Sequence, residues 1–317
     1  MRYIGQKIVQ LVAVLFLVTF LTFLLLNLLK GGPQTAALGI GADEQAVEQF
    51  RQEQHLDDPT IVRYVNWLGN LATGDLGDSL ILNVPVSDLL SQRLPVTLQL
   101  MLYATVLSLG LAIPLGILSA WRADSWFDKS ANTIAFAFLS IPNFIFGVLL
   151  VFLFSIRLGW LPATGYVPFG EDPAEHFRRM ILPTIALAAG QVAVYMRLLR
   201  TDMISTLQED FIGVARAKGM PTRRVLLRHA LRPSSFSLLT VAAISVGQLI
   251  GGTIVIERIF AIAGLGSLIV ESIFTRDYLV VQGCIVVVAV GFVLVNFVVD
   301  ILYAVLDPRI RHARAIA

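Results

Sequence analysis

The chain has 317 residues, of which 56% are apolar and only 15% are charged, and its formal net charge is +2. This composition argues against an ordinary soluble protein and indicates an integral membrane protein. Because charge is unevenly distributed in membrane proteins, the small net value is no argument for nucleic-acid binding. The single cysteine, Cys284, can form no internal disulfide.

The first apolar run extends from Ile8 to Leu29 without a charged residue. Its length of about 22 residues is enough to cross a hydrocarbon core of about 30 Å, and it exceeds the apolar part of a signal peptide. We therefore expect residues 1–30 to form an uncleaved first transmembrane helix.

A polar segment follows over residues 31–96. Helical patterns are present at residues 43–54 and 60–71, and Asp58-Pro59 separates them. We expect an extracytoplasmic helical segment that caps the membrane domain and carries no chemistry of its own.

Residues 97–317 contain five further apolar runs, which with the first predict an all-α protein with six transmembrane helices. Pro114 and Pro142 fall inside two of these runs, where a proline kinks a helix. The five predicted spans are Leu98–Ala120, Ala131–Ile156, Ile181–Leu199, Phe236–Ile256 and Val280–Leu306.

Orientation follows from the positive charges. If the N-terminus is cytoplasmic, the same side collects most arginines and lysines, including those between the fourth and fifth spans and those near the C-terminus. The positive-inside rule therefore places both termini in the cytoplasm.

The loop at residues 201–235 is strongly cationic but also has the pattern of a folded segment. Gly219 is placed to end a first short helix and Pro221 to begin a second. Small residues at Ala215, Ala217 and Gly219 would let a partner backbone approach closely. We expect docking to a cytoplasmic protein; the alternative is a loop that only obeys topology and touches anionic lipid.

Several catalytic and ligand-binding motifs are absent from the sequence. The sequence has no GxxxxGK[ST] phosphate loop, no Cys/His cluster and no assignable catalytic triad. We therefore expect no catalytic residue, no metal site and no cofactor in this chain.

Charged residues are nearly absent from the predicted spans, with Asp300 as the main exception. Ion-coupled transporters usually keep such residues, so this pattern speaks against one. The uncharged polar residues either line a hydrated path or form interhelical hydrogen bonds. The candidate path residues are Asn27, Gln99, Asn143, Gln191, Gln248 and Asn296.

The run Ala215-Arg216-Ala217-Lys218-Gly219 resembles the EAA loop of permease subunits in binding-protein-dependent ABC importers. Relative to that pattern, Gly213 replaces the glutamate and Val214 the first alanine. Seven other segments resemble the dipeptide/oligopeptide/nickel branch of this family, and they lie at residues 55–59, 74–77, 93–98, 140–144, 252–257, 276–278 and 300–310.

The resemblance implies a type I ABC importer permease fold and a heterodimer with a second homologous permease. It also implies a cytoplasmic ATPase that binds ATP and Mg, an extracytoplasmic substrate-binding protein, and a location in the prokaryotic inner membrane. The residues to which it gives coupling with the ATPase are Phe211, Ala215, Arg216, Lys218, Gly219 and Arg223.

The expected function is that of a permease subunit of an ATP-driven importer for di- or oligopeptides. Nickel, glutathione or another peptide-like solute is the alternative within the class. A secondary transporter or a membrane scaffold is the alternative from another class.

Overall fold

The computed structural model describes residues 2–28, 34, 37–39, 41–53 and 55–306. Within these ranges regular structure is helical, apart from one isolated bridge between Asp78 and Pro85. In chain order the helices are α1 Arg2–Leu28, α2 Glu44–Glu53, α3 Thr60–Ala72, α4 Val86–Trp121, α5 Trp126–Ser140, α6 Asn143–Leu150, α7 Pro173–Leu207, α8 Asp210–Ala217, α9 Thr222–Arg224, α10 Leu231–Ile259, α11 Leu265–Thr275 and α12 Tyr278–Leu306. Two π-helical segments, Val151–Arg157 and Val225–Ala230, continue α6 and α9.

Four helical stretches in the described part of the chain are long and apolar enough to cross a membrane. They agree with the second, fourth, fifth and sixth predicted spans, and their bounds are Val86–Trp121, Pro173–Leu207, Thr222–Ile259 and Tyr278–Val298. In the first predicted span, the apolar part of α1 that the structure describes runs only from Val12 to Leu26, which is shorter than a complete membrane span. The count of six therefore stays a prediction.

The third predicted span is bent at Pro142, as the sequence predicted, and the bend divides it into two helices. Helices α5 and α6 meet at a bend of 102°. Ile141 is extended, with φ −98° and ψ 121°, as the residue before a proline prefers, and Pro142 precedes the first residue of α6. Since α5 has 15 residues, it is about 22 Å long and too short to cross alone. Pro142 thus breaks the span, whereas α4 runs without interruption through Pro114.

The chain divides into two compact units. The first contains Met1–Thr97 and Ala263–Leu294, and the second contains Leu98–Ile262 and Val295–Ala317. The predicted division into residues 1–30, 31–96 and 97–317 follows chain order instead, and it stays a prediction.

In the first unit, α3 packs against α1 through aromatic side chains. The Tyr64 ring lies edge-on to three phenylalanines of α1, and its hydroxyl lies 2.9 Å from Thr19 Oγ1. Tyr64 and Trp67 are buried there. This cluster consists of Phe16, Phe20, Phe23, Tyr64 and Trp67.

The loop before α4 is also fixed within the first unit. Ser79 Oγ donates a hydrogen bond to the buried carboxylate of Asp277 at 2.5 Å. The amide of Leu265, at the start of α11, donates to Thr97 Oγ1 at 2.8 Å. Cys284 of α12 is fully buried in the core of this unit.

The core of the second unit forms along α7. Its side chains Tyr195, Leu199 and Met203 are fully buried and pack with residues of the cationic loop. Gly116 of α4 lets α7 approach closely, because a Cβ atom there would lie 3.1 Å from the carbonyl oxygen of Met196. The loop at residues 201–235 is thus part of the folded unit.

Candidate functional site

A cavity of about 570 Å³ lies in the second unit between α5, α6, α7 and α10, and its wall is mainly apolar with a few uncharged polar groups. It brings together three of the six predicted path residues, Asn143, Gln191 and Gln248. Ser245 adds a hydroxyl, and no charged side chain is among the described residues that line the cavity. Such a lining can form hydrogen bonds with a polar solute and does not select solutes of one charge.

The break at Pro142 determines where Asn143 lies. Because α6 begins at Asn143, this residue stands at the turn of the broken span, beside α7. A Cβ atom on Gly190 would lie 3.3 Å from Asn143 Oδ1. Gly190 therefore leaves the room that the Asn143 amide occupies.

Gln191 is held from the side of α4. Ser108 is fully buried, and its hydroxyl lies 3.1 Å from Gln191 Oε1. This hydrogen bond orients the Gln191 amide at the cavity wall. Both interpretations of the polar residues thus apply to Gln191, which bonds a neighbouring helix and also lines the cavity.

Gln99 and Asn296 are not among the residues that line this cavity. Gln99 accepts a hydrogen bond of 2.9 Å from Tyr166, which agrees with a structural role. Asn296 is half-buried within α12. The side chain of Asn27 lies outside the described residues. The path role of all six residues stays a prediction.

The cationic loop folds as predicted around Gly219. Helix α8 ends before this glycine, which has a positive φ of 75°. Its amide donates to the carbonyl of Arg216 at 2.9 Å, and the amide of Met220 donates to the carbonyl of Ala215 at 3.3 Å. Helix α9 begins directly after Pro221. The predicted first short helix and the break at Gly219 are confirmed, whereas the second helix is not short, because it continues to Ile259.

The predicted coupling residues divide by exposure. The side chain of Phe211 is 48% exposed, and Arg216, Lys218, Gly219 and Arg223 are also exposed. In the isolated chain, these five residues are therefore accessible to a partner protein.

Ala215 is the exception. It is only 5% exposed, because it lies with Ile212 on the face of α8 that packs into the core. Its coupling role stays a prediction. Val214, which is 54% exposed, lies on the exposed side of α8 one helical turn from Phe211, and the i, i+3 spacing could have identified it.

Gly219 has open space around it. Among the described residues, no atom lies within 4 Å of the position that a Cβ would take. The close contact with a partner backbone that was predicted here stays a prediction.

Comparison with known proteins gives the family. The family described as "Binding-protein-dependent transport system inner membrane component" matches residues 112–312. The related N-terminal family of membrane components of these systems matches residues 1–101.

Relatives match along almost the whole chain. A "Putative peptide transport system permease protein" of Brucella abortus (strain 2308) is 42% identical and covers 97% of this chain and 98% of its own length. The oligopeptide transport system permease protein AppB of Bacillus subtilis is 38% identical, with 98% and 99% covered. The glutathione transport system permease protein GsiC of Escherichia coli O6:H1 is 36% identical, with the same coverage.

Solved structures agree in fold. The inward-facing MetNI methionine ABC transporter has a TM-score of 0.57 at 17% identity, over 69% of this chain and 96% of that chain. An amino acid ABC transporter has a TM-score of 0.51 at 14% identity, over 68% and 93%. The predicted all-helical permease fold is confirmed. With the family matched over most of its length, this chain belongs to the inner membrane components of binding-protein-dependent transport systems.

Proposed function

We propose that this chain is the permease subunit of an ATP-driven importer of di- or oligopeptides. The observation that carries the proposal is that relatives of nearly equal length are named for peptides, oligopeptides and glutathione, which is itself a tripeptide. Glutathione or another peptide-like solute is the second candidate for the same reason. Family membership speaks against a secondary transporter or a scaffold.

A member of this family is a multi-pass transport subunit of the inner membrane and works with ATPase and substrate-binding partners. Beyond this, we propose a heterodimer with a second homologous permease, six transmembrane helices and contact with membrane lipid. Each permease would contribute half of the path. The uncharged cavity around Asn143, Gln191 and Gln248 supports this role, because peptides of differing charge could pass its amides.

Coupling to the ATPase is proposed for the exposed face of α8. Phe211 and Val214 are large apolar side chains that stand in solvent among cations, which is typical of a protein contact surface. Arg216, Lys218 and Arg223 could pair with acidic groups around a groove on the partner. ATP and Mg would bind to the ATPase, and this chain would have no catalytic residue.

This arrangement requires α8 to face the cytoplasm. The charge distribution supports that orientation, since the loop at residues 201–235 and the residues near both chain ends are rich in arginine and lysine. Both termini would then be cytoplasmic, and the segment at residues 31–96 would face the substrate-binding protein.

The test is uptake of labelled dialanine and trialanine into proteoliposomes that contain this chain with its copurified partners and substrate-binding protein. Uptake should require ATP on the side of the membrane where the ATPase lies, and it should stop when the substrate-binding protein is omitted. Labelled glutathione replaces the peptides in a parallel series.

Each result has a clear meaning. Uptake of the labelled peptides only with ATP supports the peptide importer, and uptake of labelled glutathione alone would select the second candidate. Movement of solute by the chain without ATP or partners would contradict the proposal.

A further inference from the structure

A second cavity of about 480 Å³ lies within the first unit, between α3 and the loop that leads into α4. This volume is within the range of about 300–1,000 Å³ that is usual for small-molecule sites. Its residues belong to the segment for which the sequence predicted no chemistry. The cavity also differs in character from the uncharged one around Asn143, because it is lined by charged groups of both signs.

One wall of this cavity is a face of α3. The positions 63, 66, 67 and 70 have the spacing i, i+3, i+4 and i+7, which places their side chains on one side of a helix. These side chains are Arg63, Asn66, Trp67 and Asn70, and all four line the cavity. Together they offer a guanidinium, two amides and an indole N–H, so this wall is rich in hydrogen-bond donors.

Carboxylates also line the cavity. Asp75 and Asp78 line the cavity from the loop before α4. The loop is held in shape, because the amide of Gly77 donates to Asp75 Oδ1 at 2.8 Å and Ser79 is hydrogen-bonded to Asp277. The two acidic side chains are therefore presented on a fixed backbone.

Trp67 provides an independent indication of a ligand. It is only 8% exposed, and its Nε1–H has no hydrogen-bond acceptor among the described residues. A buried donor without an acceptor is unfavourable. The Nε1 atom is itself shielded from solvent, so a ligand acceptor would relieve that cost once the indole turns toward the cavity.

We propose that the cavity between α3 and the loop before α4 binds a small zwitterion. Its anionic end would contact the donors of α3, and its ammonium group would contact Asp75 and Asp78. Phe23 and Leu279 provide an apolar base for the rest of the ligand. The shared chemistry has two sources, a free short peptide and the headgroup of phosphatidylethanolamine. Binding at this site does not depend on import through the chain.

The first experiment measures equilibrium binding of labelled dialanine and of phosphoethanolamine to the purified full-length chain with its copurified partners. Trp67→Phe keeps an aromatic side chain, although a smaller one, and removes the N–H, and it should raise the Kd about tenfold. Asp78→Asn removes the charge that faces the ammonium and should raise the Kd by about tenfold or more. N-acetyldialanine amide, which has no charge, should not compete.

Matched controls identify the site. Trp160→Phe removes an exposed indole N–H in the other unit and should leave the Kd unchanged. Trp126→Phe removes a second exposed indole N–H in that unit and should also leave the Kd unchanged. Saturable binding of neither probe, or unchanged binding in both Trp67→Phe and Asp78→Asn, would overturn the proposal. So would a rise of the Kd in Trp160→Phe or Trp126→Phe as large as in Trp67→Phe.

Nanodiscs of two compositions, phosphatidylglycerol alone and phosphatidylglycerol with phosphatidylethanolamine, then identify the source of the zwitterion. If phosphatidylethanolamine blocks dialanine binding that occurs in phosphatidylglycerol alone, the ligand is the lipid headgroup. If dialanine binds equally in both, the ligand is a free solute. A failure of uptake in proteoliposomes would contradict the importer proposal and would leave this binding result unaffected.

Discussion

Replacement of Gly219 separates a backbone requirement from a partner contact. This glycine has a φ of 75°, where a residue with a Cβ is strained, but no atom of the described residues lies within 4 Å of the position that the Cβ would take. Among the described residues, the Cβ of Gly219→Leu therefore meets no steric clash, and the expected cost is that of the left-handed backbone.

That cost can be estimated. A left-handed conformation costs an L-residue about 1–2 kcal/mol, and asparagine tolerates it better than leucine. Gly159 provides a matched control, because it has a φ of 64° and equally open surroundings in a different loop. Gly219→Leu and Gly159→Leu should thus lower the free energy of unfolding by the same amount of about 1–2 kcal/mol.

Transport should distinguish the two variants. If a partner backbone packs against Gly219, ATP-dependent dialanine uptake should be lost in Gly219→Leu and strongly reduced in Gly219→Asn, while Gly159→Leu keeps it. Thermal unfolding of the purified chain measures the backbone strain, and uptake into proteoliposomes measures coupling.

Normal uptake by Gly219→Leu would refute the reasoning about a partner contact. Equal loss of uptake in Gly219→Leu and Gly159→Leu would also refute it, since strain alone would then explain the effect.

Three other variants test contacts of the fold. Arg200→Met should lower the free energy of unfolding by about 3 kcal/mol, because it leaves the buried Asp128 carboxylate without its cation. Adding Asp128→Asn to the same chain should restore part of the lost stability. A double variant as unstable as Arg200→Met would argue against a stabilising Asp128–Arg200 ion pair. Gly190→Ala should cost at most about 1 kcal/mol in thermal unfolding but should reduce uptake, since the new methyl group meets the Asn143 amide at 3.3 Å; wild-type uptake would show that this amide is unimportant. Thr97→Val should lower the unfolding free energy by about 1–3 kcal/mol, because the buried amide at the start of α11 loses its acceptor, and an unchanged midpoint would contradict this.

Features that depend on a few neighbouring residues could be predicted from the sequence. The end of α8 at Gly219 follows from local backbone preferences, since glycine adopts a positive φ and Pro221 begins the next helix. The apolar runs likewise predicted the long helices, because burial in hydrocarbon requires continuous apolar sequence.

Features that depend on packing between distant segments could not. The sequence identified Pro142 as a disturbance, but the 102° bend depends on how α5 and α6 each pack against α7. Ala215 was expected at a partner surface because it is small, whereas its neighbours in the core turn it inward. No periodicity connects Asn143, Gln191 and Gln248, so their meeting in one cavity required the fold.

The burial of Cys284 makes the chain convenient for chemical labelling. It is the single cysteine of the sequence, and a thiol without solvent access reacts slowly. A cysteine placed at Asn70 or at Lys218, both exposed, would then be the only reactive thiol in an otherwise native chain. In sealed right-side-out vesicles, a membrane-impermeant maleimide should label Asn70→Cys and spare Lys218→Cys until the membrane is opened. The native sequence thus already provides the background in which the orientation of each segment can be measured.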